Sequence, residues 1–278
     1  SGSASLSKFC KEEKIDHLPP IDYRYGWNLS KKEHQIILFS ALITHGTGTL
    51  FASPNCAPWG NNTRGHPQRA EKREYETPTL LFLAVACFVQ ILLDRKYIVE
   101  NSAYSDIFTD SPLSRLRLLD FHLALLDQCA VGGLLEDQFI KKRTHFQSSH
   151  ILHHLQILCS GGHPHLNLRG SGRAASSAQY PREECRRITA DGLVKPGASE
   201  GGRKPPSPSF FKKSFDGKVG DLKKIAESRG WGEIWNQIVL PWLEHLQVSV
   251  VKAKSTSDAS VERVAAIPGP PAGPSVVI

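Results

Sequence analysis

The strongest constraint on the fold is an apolar run at 79–93, TLLFLAVACFVQILL, in which only two of 15 residues are polar. Thr77 and Pro78 precede it and fit the N-cap and first position of a helix, where the amide that proline lacks is not needed. A helix that is apolar on every side lies in a protein core or in a membrane. A membrane span needs about 20 apolar residues, and this run ends at Asp94. We therefore interpret it as a buried central helix and expect no membrane partner.

Helix-start signals also flank this run on both sides. Ser30 and Glu33 have the S-x-x-E spacing of a capping box, and an apolar stretch follows as far as Gly46. Residues 110–112, Asp-Ser-Pro, predict a further helix that runs to the glycine pair at 132–133. Its core-facing stripe would consist of Leu116, Leu119, Leu123 and Leu126.

A fourth long helix is predicted over 134–159, ending at the glycine pair 161–162. Residues 46–77 are rich in Gly, Pro and Asn, and we interpret them as a loop. Four long helices with little strand signal predict an all-α fold, either a helical bundle or a short helical array.

The second half of the sequence changes composition. Gly, Pro and Ser make up 21 of the 50 residues at 160–209, which leaves too little apolar area to offset the entropy of ordering. The aromatic-rich segment that follows predicts a C-terminal helical hairpin. The predicted organisation is an extended lead-in at 1–27, a helical core domain at 28–159, a basic disordered linker at 160–209, the hairpin at 210–250 and a flexible tail at 251–278.

The six cysteines are far apart and form no CxxC pair. Disulfide scaffolds of secreted proteins have dense cysteine frameworks, so this pattern favours a reducing compartment. We expect a cytoplasmic or nuclear protein.

The sequence contains no coherent catalytic constellation: it has no phosphate-binding loop, no nucleophile elbow and no HExxH zinc motif. The leading hypothesis is therefore a non-catalytic helical scaffold or adaptor with a protein partner. A stripe of tryptophans on the second hairpin helix could dock in the groove of that partner or pack internally. The stripe consists of Trp231, Trp235 and Trp242.

Nucleic-acid binding is the alternative. The net charge is +7, and residues 160–278 carry 17 basic against 11 acidic side chains, so +6 of it lies there. Lysines interleave with phenylalanines near the start of the hairpin, a combination able to contact phosphates and stack on bases. These lysines are Lys212, Lys213, Lys218, Lys223 and Lys224.

A third hypothesis is metal binding, because residues 145–165 contain six of the twelve histidines. On a helix, His150 and His154 stand at i and i+4 and could chelate a divalent ion such as zinc. The Gly-Gly turn could return His163 or His165 as a third ligand. The same helical placement turns Cys159 toward the core, away from His150 and His154. If the histidines are instead a solvent-facing surface, no cofactor is expected.

Overall fold

The computed structural model describes residues 5–18, 20–22, 27–61, 64–135, 137–166 and 208–246. These residues form a mixed α/β fold with a four-stranded sheet, so the prediction of an all-α helical bundle is wrong. Residues 167–207 of the predicted linker and the predicted tail at 251–278 lie outside the described residues.

The described residues contain six α-helices and seven strands. The helices are Ser5–Glu12 (α1), Lys32–Thr44 (α2), Arg69–Leu92 (α3), Ile107–Asp110 (α4), Pro208–Ser228 (α5) and Gly232–Leu246 (α6). The strands are Thr49–Ala52 (β1), Lys96–Ser102 (β2), His122–Asp127 (β3), Leu134–Leu135 (β4), Gln138–Ile140 (β5), Arg143–Ser148 (β6) and His165–Leu166 (β7).

The larger sheet has the strand order β1-β2-β6-β3. Strand β1 runs parallel to β2, whereas β6 is antiparallel to both β2 and β3. In β2, burial alternates along the strand, with Tyr97, Val99 and Asn101 buried and the residues between them more exposed. This alternation follows from the two-residue repeat of a strand with one face against the core.

A second, smaller sheet consists of β4, β5 and β7. Strands β4 and β5 are antiparallel, and β7 is parallel to β5 with His165 opposite Phe139. Its strands have only two or three residues each. Few side chains are therefore available to stabilise this sheet by burial.

The apolar run of the sequence forms the central helix α3. Consecutive residues from Leu80 to Gln90 are buried, because α3 contacts β1 and β2 as well as the helices α2, α5 and α6. By length and composition α3 could cross a membrane, yet 67% of its most apolar window is buried within the fold. A core helix enclosed on all sides has this same composition.

Helix α3 begins earlier than the sequence predicts, at Arg69, and Pro78 lies inside it. The hydroxyl of Thr77 donates to the Arg73 carbonyl at 2.7 Å and so does not act as an N-cap. The prediction that 46–77 is a loop is therefore wrong at both ends, where β1 and the first turns of α3 lie.

The predicted helix after residues 110–112 stops early. The Ser111 hydroxyl does accept the Leu113 amide at 3.1 Å, but the helix is a 3-10 helix that spans only Pro112–Leu118. The chain then enters β3, where side chains alternate between two faces. Leu116 is buried and Leu123 is 51% exposed, so the leucines do not share one face.

The predicted helix at 134–159 is also wrong. This segment forms β4, β5 and β6, followed by a single 3-10 turn at His153–Leu155. Strand β6 lies between β2 and β3, which satisfy its backbone hydrogen bonds on both edges. Its residues are mostly polar, and nothing in their local periodicity reveals that position.

The helices α5 and α6 pack into the core against α2 and α3. The Trp242 indole lies 4.9 Å from the Phe39 ring and donates a hydrogen bond to the buried Gln35 side chain at 2.7 Å. Phe215 of α5 completes this aromatic group. The chain on both sides of residues 167–207 therefore contributes to one hydrophobic core.

Candidate metal centre

Four potential metal ligands converge at the end of β3, beside the small sheet. Cys129 lies in a 3-10 turn, Gln128–Val131, directly after β3, and Cys159 lies in the loop after β6. His163 follows in the same loop, and His165 begins β7. The two Sγ atoms and one nitrogen of each ring all lie within 4.8 Å of one another. Among the residues that the structure describes, no other group of three or more Cys, His, Asp or Glu meets this test.

Three sulfur-to-nitrogen distances within this cluster are close to those of a tetrahedral site. His165 Nε2 lies 3.2 Å from Cys129 Sγ and 3.4 Å from Cys159 Sγ, and His163 Nε2 lies 3.6 Å from Cys159 Sγ. Zinc bonds of about 2.3 Å to sulfur and 2.0–2.1 Å to nitrogen place the S and N ligands of a tetrahedron about 3.6 Å apart. A zinc ion therefore fits among these atoms with little rearrangement.

Glycines shape the chain around both cysteines. Gly132 has a left-handed conformation, φ 79°, and a Cβ on Gly133 would lie 2.7 Å from the Gln128 carbonyl oxygen. Near the second cysteine, Gly161 has φ 85° and donates its amide to Cys159 Sγ at 3.3 Å. Only glycine adopts such conformations freely, so both turns depend on these residues, and the Gly161 amide holds the Cys159 sulfur in place.

The two histidines are positioned by ring contacts and by the small sheet. The rings of His163 and His165 are 4.5 Å apart in an edge-to-face arrangement, and Phe139 of β5 lies 4.1 Å from His163. Because β7 pairs with β5, the backbone of His165 is fixed relative to Phe139. The small sheet therefore presents both imidazoles to the cysteines.

Electrostatics at the cluster depend on whether a cation is present. Burial raises the pKa of the Cys129 thiol, and the adjacent Cys159 thiol raises it further. A coordinated cation reverses this effect, since it deprotonates a bound thiol. The Cys129 thiolate is therefore disfavoured in this site unless a cation binds beside it.

A carboxylate lies directly behind the two cysteines. Asp127, the last residue of β3, accepts two hydrogen bonds from the Arg143 guanidinium, at 2.8 and 2.9 Å. One of its oxygens also accepts the Cys159 backbone amide at 2.9 Å. The hydrogen bonds from Arg143 lower the pKa of Asp127, and the Cys159 amide acts in the same direction.

This cluster contains two of the four histidines predicted as metal ligands. His163 and His165 belong to it, whereas His150 and His154 do not. His150 follows β6. Burial lowers the pKa of its imidazole, and the nearby charges of Lys96 and His122 lower it further. His154 is exposed in a 3-10 turn. The sequence predicted that Cys159 lies on a helix and points to the core, away from His150 and His154. The helix is wrong, because this segment is a loop, and Cys159 lies beside His163 and His165.

Sequence reasoning left both cysteines out of the predicted metal site, and it did not consider Cys129 as a ligand at all. Its place in an apolar pattern favoured a buried helix, and 29 residues separate it from Cys159. The usable signal was that each cysteine shortly precedes a glycine pair, in Cys-Ala-Val-Gly-Gly and Cys-Ser-Gly-Gly. His163 and His165 follow the second pair.

The tryptophans predicted to bind a partner lie against or within the core. Trp235 and Trp242 are buried, and Trp231 is half-buried beside Phe88, with Arg229 over its ring. They contribute to the hydrophobic core and leave no stripe free for a partner. A protein partner as such remains a prediction.

Three of the lysines predicted to bind nucleic acid have partners within the fold. Lys218 donates to the Thr44 hydroxyl at 2.7 Å. Lys223 pairs with Glu227 and Lys224 with Asp221, each one turn away on α5. The side chains of Lys212 and Lys213 lie outside the described part of the chain, and nucleic-acid binding stays a prediction.

Searches against protein-family models, curated proteins and solved structures found no match.

Proposed function

We propose that this chain binds one zinc ion through Cys129, Cys159, His163 and His165. The single observation that carries the proposal is that these four side chains, from two separate segments of the chain, bring their ligand atoms within 4.8 Å of one another. Two sulfur and two nitrogen ligands in a tetrahedral arrangement suit zinc among the common divalent metals.

The role of this zinc is structural. Four protein ligands fill a tetrahedral coordination shell, whereas catalytic zinc sites keep a position open for water or substrate. The ion would connect the end of β3, through Cys129, to the loop that carries Cys159 and to the small sheet, through His165. This role fits the small size of that sheet, whose strands have two or three residues each, because metal coordination stabilises small units that lack a core of their own.

The proposal is tested by metal analysis of the full chain purified without chelators. We expect about one zinc per chain, and we expect Cys159→Ser to lose it because serine does not replace a thiolate ligand. Cys56→Ser is the matched control, because Cys56 is an exposed free cysteine outside the cluster. His150→Ala/His154→Ala tests the ligand pair predicted from sequence and should retain the metal.

Two outcomes would overturn the proposal. One is a wild-type chain that takes up no zinc even when the metal is supplied during purification. The other is loss of zinc to the same extent in Cys56→Ser and Cys159→Ser. A count of reactive thiols distinguishes bound metal from a disulfide between Cys129 and Cys159, since chelator releases the thiols in the first case only.

A further inference from the structure

Asp127 contacts both segments that supply the cysteines. It lies two residues before Cys129, and its carboxylate accepts the backbone amide of Cys159. Its own amide donates to the Ile157 carbonyl at 2.9 Å, so Asp127 fixes the loop before Cys159 through both backbone and side chain. Its side chain is only 10% exposed.

Both side-chain oxygens of Asp127 accept hydrogen bonds, and only a carboxylate has two oxygens that can do so. Oδ1 accepts from Arg143 Nε at 2.8 Å, while Oδ2 accepts from an Arg143 terminal nitrogen and from the Cys159 amide, both at 2.9 Å. The amide nitrogen of asparagine cannot accept a hydrogen bond. The substitution Asp127→Asn would therefore oppose either the guanidinium or the Cys159 amide with a donor.

We propose that Asp127, held by Arg143, is a positioning residue that fixes Cys159 relative to Cys129 for metal binding. This inference rests on the proposed zinc site. Without the carboxylate, the loop keeps the backbone bonds of Ile157 to β3 but loses the contact at Cys159 itself. Part of the free energy of metal binding is then spent on placing the Cys159 sulfur. Groups that orient metal ligands in this way typically change metal affinity by about 10- to 100-fold.

The experiment measures cobalt affinity of the full chain by competition with a chelator, together with the absorption spectrum at saturating cobalt. We expect Asp127→Asn to weaken cobalt binding by about tenfold or more and to reduce the thiolate-to-cobalt charge-transfer band. Arg143→Lys keeps the charge but loses the two-pronged contact, so its affinity should lie between those of wild type and Asp127→Asn.

Asp106→Asn is the matched control. Asp106 is a similarly shielded carboxylate that accepts hydrogen bonds from Arg64, Arg69 and Arg73, and it contacts none of the proposed ligands. Its loss should lower overall stability and leave cobalt affinity and spectrum unchanged.

The outcomes separate the two proposals. If wild type binds cobalt and Asp127→Asn binds it with equal affinity and an identical spectrum, the positioning role is wrong and the zinc site stands. The positioning role is also overturned if Asp106→Asn weakens cobalt binding as much as Asp127→Asn does. If wild type binds neither cobalt nor zinc, the zinc site is wrong and the positioning role fails with it.

Discussion

The helical core and the metal end of this molecule are stabilised in different ways. We define the helical core as α2, α3, α5 and α6, and the metal end as residues 128–142 and 157–166. The core buries large side chains such as Phe39, Phe82 and Trp242 almost completely. The metal end has short strands and partly exposed residues, and its four proposed ligands converge from distant positions. Apolar burial therefore accounts for the first region, and we expect coordination to account for the second.

The largest expected effect comes from Trp242→Ala in the helical core. It removes a fully buried indole and leaves a cavity beside Phe39 and Phe82, at a cost of about 3–5 kcal/mol in the free energy of unfolding. Urea unfolding followed by circular dichroism measures this. Zinc content of the folded variant should not change. A loss of less than about 1 kcal/mol would contradict the central place of this residue in the core.

Removal of zinc should affect the metal end and spare the helical core. Free zinc at a hundredfold excess over its dissociation constant stabilises a chain by about 2.7 kcal/mol. We expect a chelator to remove this stabilisation and to speed amide hydrogen exchange in the metal end, residues 128–142 and 157–166. Exchange in α3 and α6 should stay slow below the unfolding transition. Equal acceleration of amide exchange in both regions would mean that zinc does not stabilise the metal end separately from the helical core.

Gly133→Ala tests the backbone turn that follows Cys129. The new Cβ would lie 2.7 Å from the Gln128 carbonyl oxygen, and relief of this clash should cost about 1–3 kcal/mol and weaken cobalt binding. Gly217→Ala on α5 is the control, because its Cβ meets nothing within 4 Å. Alanine there should stabilise the helix by about 0.5–1 kcal/mol. Thermal unfolding of both variants checks the contrast.

The smallest expected effect is a dependence of stability on pH. The arginines that hold Asp106 and Asp127 lower the pKa of both carboxyls below the ordinary value of about 3.9. Their stabilisation is therefore present above pH 3.9 and is lost as the pH falls through the lower, folded-state pKa.

Urea unfolding between about pH 2 and 6 in the presence of chelator tests this expectation. Asp106→Asn and Asp127→Asn should each show a shallower loss of stability with acid than wild type does. Curves parallel to that of wild type would mean that neither ion pair contributes to the pH dependence of stability.

The sequence predicted the helical core better than the metal end. The apolar run at 79–93 predicts a helix that is buried on every side, and α3 is such a helix. The helix before Gly46 and the two helices of the hairpin were also predicted and form α2, α5 and α6. The predicted Ser30 capping box does not form, because Lys31 is the N-cap of α2 and no side chain caps it. These elements depend on local patterns and on large apolar side chains.

The strands were missed because their patterns admit two interpretations. Leucines between 116 and 126 occur at helical spacings, yet HLALLD forms β3, and the polar RTHFQS forms β6 between two neighbours. Pairing partners far along the chain decide such cases. The prediction for the metal end was wrong for the same reason, because a helix over 134–159 turned Cys159 away from His150 and His154 and so left it out of the predicted metal site.

X-ray absorption at the zinc edge of the purified full chain tests the central claim most directly. Ligation by Cys129, Cys159, His163 and His165 predicts two sulfur neighbours at about 2.3 Å and two nitrogen neighbours at about 2.0–2.1 Å. A first shell with only nitrogen and oxygen neighbours, or no zinc in the chain at all, would contradict it.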